Sequence, residues 1–141
     1  MAKGVWSQVY SGDAAAGGSI RDHKGNWILG FNRRLGHCSI FNTELWGILD
    51  SLSLFQSRKY GKVLIRTNNL EAIQEIQAAS SKTSHSALIR CIHQLLLETG
   101  FWEFEHIPRE ENIEVDGIAK LAFDRNARLQ LFTACPLNIS R

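Results

Sequence analysis

Hydrophobic and polar positions change period several times along the chain, and each change marks an element. From Phe101 the run FWEFEH alternates, with Trp102, Phe104 and His106 on one side and Glu103 and Glu105 on the other. A period of two in an aromatic-rich run predicts a strand. Pro108 ends it, because proline offers the ladder no N–H. Beyond Pro108 the period becomes helical. Val115, Ile118, Ala119 and Ala122 recur at i, i+3, i+4 and i+7 as one apolar stripe. Glu110 and Glu111 fall in the first turn predicted for this helix, where the helix dipole favours acids. Asp116 borders the stripe, and Asn112 stands one turn earlier on the same side. An acid in that place is either a solvated boundary residue or part of a site.

Upstream, Leu45, Ile48, Leu49, Leu52 and Phe55 predict a helix over 42–57, capped by Asn42 or Thr43. Glu44 then lies in its first turn, where the dipole alone accounts for an acid. Val63, Leu64 and Ile65 are consecutive in KVLIRT (62–67), as in an interior strand covered on both faces. Asn68 and Asn69 follow at the strand's end, before Leu70, Ile73, Ile76 and Ala79 set the spacing of a short helix. Either asparagine suits an N-cap. The same place, the end of a strand in an open α/β sheet, is also where ligands gather.

Residues 80–84 read as a polar loop. Leu88, Cys91, Ile92, Leu95 and Leu96 then mark a helix that stops at Gly100, with Cys91 on its apolar face as an inert core thiol. Near the N-terminus, Val5, Ser7 and Val9 suggest a short strand. Residues 16–22 and 26–33 flank the turn residues Asp22 to Asn26 and predict a hairpin. Gly17 and Gly18 open its first strand. Glycines there mark either a bulge or crowded packing, or close approach of another backbone or a ligand. The tail, 126–141, predicts no regular structure. The whole order describes a mixed sheet, an antiparallel hairpin followed by βα units that favour parallel pairing.

With 141 residues, 44% hydrophobic and 21% charged, the chain is expected to form one globular domain, with its core at about 12–126 and a C-terminal tail at 127–141. A net charge of +2 permits an anionic partner without demanding one. Cys38, Cys91 and Cys135 are odd in number and widely spaced, which excludes a disulfide framework or a paired-cysteine metal site and favours a reducing, intracellular location, nuclear or cytoplasmic. No apolar run approaches a membrane span, so no membrane partner is expected. A monomer is expected.

Glu44 at a helix start, Asn68 at the end of the central strand and Asp116 on the edge of the last helix form a pattern. With AGGSIRDHKGNWILGFNRRLG (16–36), TELWGILDSL (43–52), VLIRTNNLEAIQEI (63–76) and HIPREENIEVDGIAKLA (106–122), the chain resembles the type 1 ribonuclease H family. More narrowly it resembles ribonuclease H-like domains related to plant retroelement reverse transcriptases. The resemblance covers most of the chain, from Gly12 to about Phe132. It implies a ribonuclease H-like α/β fold, a mixed five-stranded sheet with helices on both faces, its first strand cut short at the N-terminus.

The resemblance also implies a chemistry. The family hydrolyses the RNA strand of RNA–DNA hybrids with two Mg²⁺ ions, which stabilise the attacking water and the leaving oxygen. Four acids hold those ions. The second maps onto Glu44 and the fourth onto Asp116, the two expected metal contacts. The third is replaced by Asn68, and the first is expected at Lys3 or Gly4, where no acid stands. Asp13 lies upstream but is not expected to substitute. The catalytic set is thus Glu44, Asp116 and Asn68, and it implies weak binding of one Mg²⁺ at most, with little or no cleavage. Binding can outlast catalysis. Gly17, Gly18, Asn69, Arg109 and Asn112 are the expected contacts to an RNA–DNA hybrid or structured RNA, against the alternative that Arg109 and Asn112 only cap and brace the last helix. His106 is read as structural. A non-catalytic nucleic-acid-binding or protein-interaction module is the competing description.

Overall fold

The structure, a computed structural model, describes residues 4–12 as backbone, and residues 15–35, 38–58, 62–78, 86–121, 129–133 and 136 with side chains. Lys3, Asp13, the loop at 80–84, Ala122, Cys135 and most of the tail lie outside the described residues.

Strands β1 (Gly4–Gly12), β2 (Ala15–Asp22) and β3 (Trp27–Arg34) form an antiparallel meander. Strand β4 (Lys62–Thr67) runs parallel to β1, and β5 (Phe101–His106) parallel to β4. The mixed sheet follows the expected order, antiparallel first and then parallel. It gains a sixth strand. The tail was expected to be irregular, yet β6 (Leu129–Phe132) pairs antiparallel with β3, giving the order β5-β4-β1-β2-β3-β6. Four residues with alternating exposure are too short a pattern to stand out in a sequence.

The hairpin turn forms where its residues predicted. The carboxylate of Asp22 accepts the backbone N–H groups of Lys24 and Asn26, each at 2.9 Å, and Gly25 takes φ +87°. That conformation is open to glycine because it has no Cβ.

Helices cover both faces. Helix α1 (Ile40–Ser57), α2 (Leu70–Ala78) and α3 (Ala87–Thr99) lie on one. Leu45, Ile48, Leu52 and Phe55 of α1 meet Ile89, Ile92 and Leu96 of α3 over Ile20, Val63 and Ile65 of the sheet. A 3₁₀ turn (Arg109–Asn112) and α4 (Ile113–Lys120) lie on the other face, where Val115, Ile118 and Ala119 pack with Trp27 and Phe132. Glu110 and Glu111 therefore belong to the 3₁₀ turn, and the acids in the first turn of α4 are Glu114 and Asp116.

Four expectations change. Helix α1 begins earlier than 42, because Ser39 is its cap: its Oγ accepts the Asn42 N–H at 3.1 Å. Glu44 thus lies past the first turn, and the helix dipole no longer explains it. Cys91 is exposed rather than buried, since the buried stripe of α3 runs through Ile89, Ile92 and Leu96. Strand β4 is interior, but Leu64 and Arg66 are only half-buried, so its second face is partly open. Finally, β1, expected as a short strand, extends over nine residues and pairs along its length.

Candidate functional site

The site is built around the end of β4. Alternation along the strand puts Val63, Ile65 and Thr67 on the face toward α1, and their burial follows. Thr67 has no exposed surface. Its Oγ1 donates to Glu44 Oε2 at 2.6 Å, and Glu44 is itself 1% exposed. The same Oγ1 accepts the Asn69 N–H at 3.1 Å. Asn69 then caps α2, with Oδ1 accepting the Ala72 N–H at 3.0 Å. Of the two candidate caps it is Asn69 that fills the role.

Asn68 turns the other way, toward α4. Its Oδ1 accepts from Asn112 Nδ2 at 2.5 Å, and its backbone oxygen lies 3.2 Å from His106 Nε2. Asn112 is the N-cap residue of α4 by position, but its side chain makes no cap bond and is 1% exposed. One turn on, Asp116 Oδ2 pairs with Lys120 Nζ at 3.2 Å, while Oδ1 is buried with no hydrogen-bond partner. Arg109, Glu110, Asn112, Ile113 and Asp116 line an open depression beside this corner. Arg66 flanks it, paired with Glu105 at 2.6 Å and reaching Glu111 at 3.7 Å.

The hairpin glycines stand elsewhere. Gly17 is buried under α4, and a Cβ there would lie 2.7 Å from the Ala119 nitrogen. The close approach that its sequence position announced is that of another backbone. Gly18 is also buried within the sheet. Asn112 is likewise buried at the wall of the depression, whereas Arg109 is exposed and Asn69 half-buried.

A family model described as reverse transcriptase-like matches residues 2–122. The chain belongs to that family. It is 32% identical over 127 residues to an Arabidopsis thaliana protein named "Putative ribonuclease H protein", a match that takes in 89% of this chain and 20% of that protein. The chain thus spans about a fifth of the curated relative it matches. Its fold is similar to RNase H1 of the archaeon Halobacterium salinarum (TM-score 0.72, 16% identity, 86% of this chain and 97% of that one). It is also similar to LC11-RNase H1 solved in complex with an RNA/DNA hybrid (TM-score 0.74, 22% identity, 85% and 96%). This is a ribonuclease H-like domain.

Against the four-acid site that this resemblance implies, the domain has a different corner. The parallel register sets Gly4 opposite Lys62 and Val9 opposite Thr67. Gly4 is therefore at the far end of β1 from Asn68, and the expected location of the first acid at Gly4 is corrected: the next position after Val9, Tyr10, stands level with Asn68. No acid occurs anywhere in β1, GVWSQVYSG. Among the described residues, no group of three or more His, Cys, Asp or Glu side chains could hold a metal ion. At this corner one Glu44 oxygen is engaged by Thr67, the Asn68 oxygen by Asn112 and one Asp116 oxygen by Lys120, while Asp116 Oδ1 is buried without a hydrogen-bond partner, a donor set unlike the four carboxylates that two Mg²⁺ ions require. Among the described residues, no helix is long and apolar enough to cross a membrane.

Sequence reasoning missed Thr67. Its signal was there: a β-branched hydroxyl residue in register with buried Val63 and Ile65, directly before the asparagine pair.

Proposed function

We propose that this ribonuclease H-like domain binds the RNA–DNA hybrid and cleaves it little or not at all. The observation that carries the reading is the carboxamide of Asn68, closed onto Asn112 where the resemblance implies a carboxylate. A carboxylate about 4 Å from a divalent cation attracts it by roughly 8 kcal/mol at an effective dielectric of about 20, twice the unit-charge value. Desolvation cancels much of this, yet each net loss of about 1.4 kcal/mol is tenfold in rate. An asparagine keeps the oxygen and loses the charge. Glu44 and Asp116 are the two carboxylates left for a cation, and Glu44 is enclosed by α1 and Thr67.

Binding makes a smaller demand. Hybrid recognition uses 2′-hydroxyl and phosphate contacts, many of them to neutral groups and backbone N–H donors. Asn69 and Arg109 flank the corner and are the contacts we assign. Anisotropy of a labelled hybrid, beside single-stranded RNA and duplex DNA, is the test. The reading predicts a preference for hybrid that weakens from about 50 to 200 mM salt, as phosphate contacts release counterions. Equal affinity for all three, or none for any, removes it.

A further inference from the structure

We propose that the Asn68–Asn112 carboxamide bond takes over the structural work of a bound cation, tying the end of β4 to the start of α4, and that the domain therefore engages its nucleic-acid ligand independently of metal. The binding half of this rests on the function proposed above; the structural half stands alone.

Three observations point to it. The bond joins residues 44 apart in sequence, from the residue just past the end of β4 to the N-cap residue of α4. Asn112 is almost wholly enclosed, its side chain makes no cap bond to α4, and its amide N–H donates across to Asn68. A buried amide in this place loses more by being left unpaired than it gains by being paired, which fixes the two residues to one another. And the remaining donors do not assemble into an ion site, since no group of three or more metal-ligating side chains stands together among the described residues. In a site of clustered carboxylates the cation both offsets their mutual repulsion and draws the elements together. Here, with Asn68 neutral, the repulsion is reduced and a direct bond supplies the tie.

Asn112 is thus a positioning residue, holding α4 and its Asp116 against the sheet. Thermal melts of the native chain, with and without 10 mM Mg²⁺ at matched ionic strength, give the first reading. An ion site of about 1 mM Kd would raise Tm by roughly 4 °C at about ten times that concentration. We expect no rise in the native chain and a rise of this size in Asn68→Asp, which returns the charge. A native chain that gains as much as the variant overturns the proposal.

The second reading is a double-mutant cycle on Asn68→Ala and Asn112→Ala. Each change is expected to lower Tm by about 5 °C, and the pair by little more than the larger single loss. Additive losses overturn the proposal. If Asn112→Ala fails to fold, the Mg²⁺ melts still decide. Hybrid affinity in EDTA and in Mg²⁺ separates the two claims. Binding that requires Mg²⁺ refutes metal independence while leaving hybrid binding intact. Absence of binding in both conditions removes the proposed function, and the melts then decide the structural tie.

Discussion

Gly17→Ala separates packing from ligand contact at the hairpin. A Cβ at Gly17 would stand 2.7, 2.8 and 2.9 Å from the nitrogen, Cα and Cβ of Ala119, where ordinary contact begins near 3.4 Å. Helix α4 must therefore move off the sheet by about 0.7 Å. None of the three atoms is the end of a flexible side chain, so no rotamer change relieves the clash. The helix also resists the move. Asn32 Nδ2 holds the Ile118 carbonyl at 2.9 Å, and Val115 and Ile118 are buried beneath it. Overpacking a rigid contact costs about 1–3 kcal/mol, and a backbone obstacle puts this case near the upper value. Restricting the unfolded chain returns about 0.4–1 kcal/mol. A net loss of about 2 kcal/mol corresponds to a Tm lower by roughly 6–10 °C in a chain of this length. Urea unfolding should show a lower midpoint at unchanged slope. A variant that melts with the native chain but loses hybrid affinity would refute the packing argument and restore Gly17 as a ligand contact.

Two further changes probe the scaffold. Thr67→Val keeps volume and deletes the hydroxyl that serves both Glu44 and Asn69; we expect about 2–3 kcal/mol of destabilisation in urea, since a bond to a carboxyl group is worth about 1.5–3 kcal/mol, and a loss below about 0.5 kcal/mol would mean that the hydroxyl is not structural. Arg33 holds Asp50 through two bonds at 2.6 and 2.9 Å, while burial raises the Asp50 carboxyl above its ordinary value against the pull of that guanidinium. A raised folded-state value means that the folded chain binds the proton more readily than the unfolded one, so the contribution of this group to stability rises as pH falls through the folded value. Arg33→Met leaves the buried carboxylate unpaired, at about 3–5 kcal/mol near neutral pH, and melts should show that loss shrinking as pH is lowered; a loss equal at every pH contradicts the assignment.

The sequence carried the architecture further than the site. Periodicity located α1, α3 and α4 because each buries one continuous stripe, as Ile48, Leu52 and Phe55 do on α1, and the turn residues Asp22 to Asn26 located the hairpin. It misplaced the start of α1, because the cap is a lone Ser39 two residues outside the first apolar contact with the core, and exposed Ile40 breaks the pattern. It assigned Cys91 to the core because cysteine counts as apolar, although it lies off the stripe that α3 buries. At the site, the resemblance singled out Glu44, Asn68 and Asp116, but pairing is invisible in one dimension. That Asn112 is a brace for Asn68 and Thr67 a donor to Glu44 depends on strand register and helix docking. The same register moved the expected place of the first acid from Gly4 to the position after Val9, Tyr10.

The central claim is that this corner has the ribonuclease H-like fold without the charge for cleavage. Incubating the native chain with a labelled RNA–DNA hybrid in Mg²⁺ and in Mn²⁺, beside a Tyr10→Asp, Asn68→Asp variant, tests it most directly. The account predicts no product from the native chain and cutting of the RNA strand by the variant. Cutting by the native chain that Glu44→Gln abolishes would contradict it, and would mean that another group completes the site.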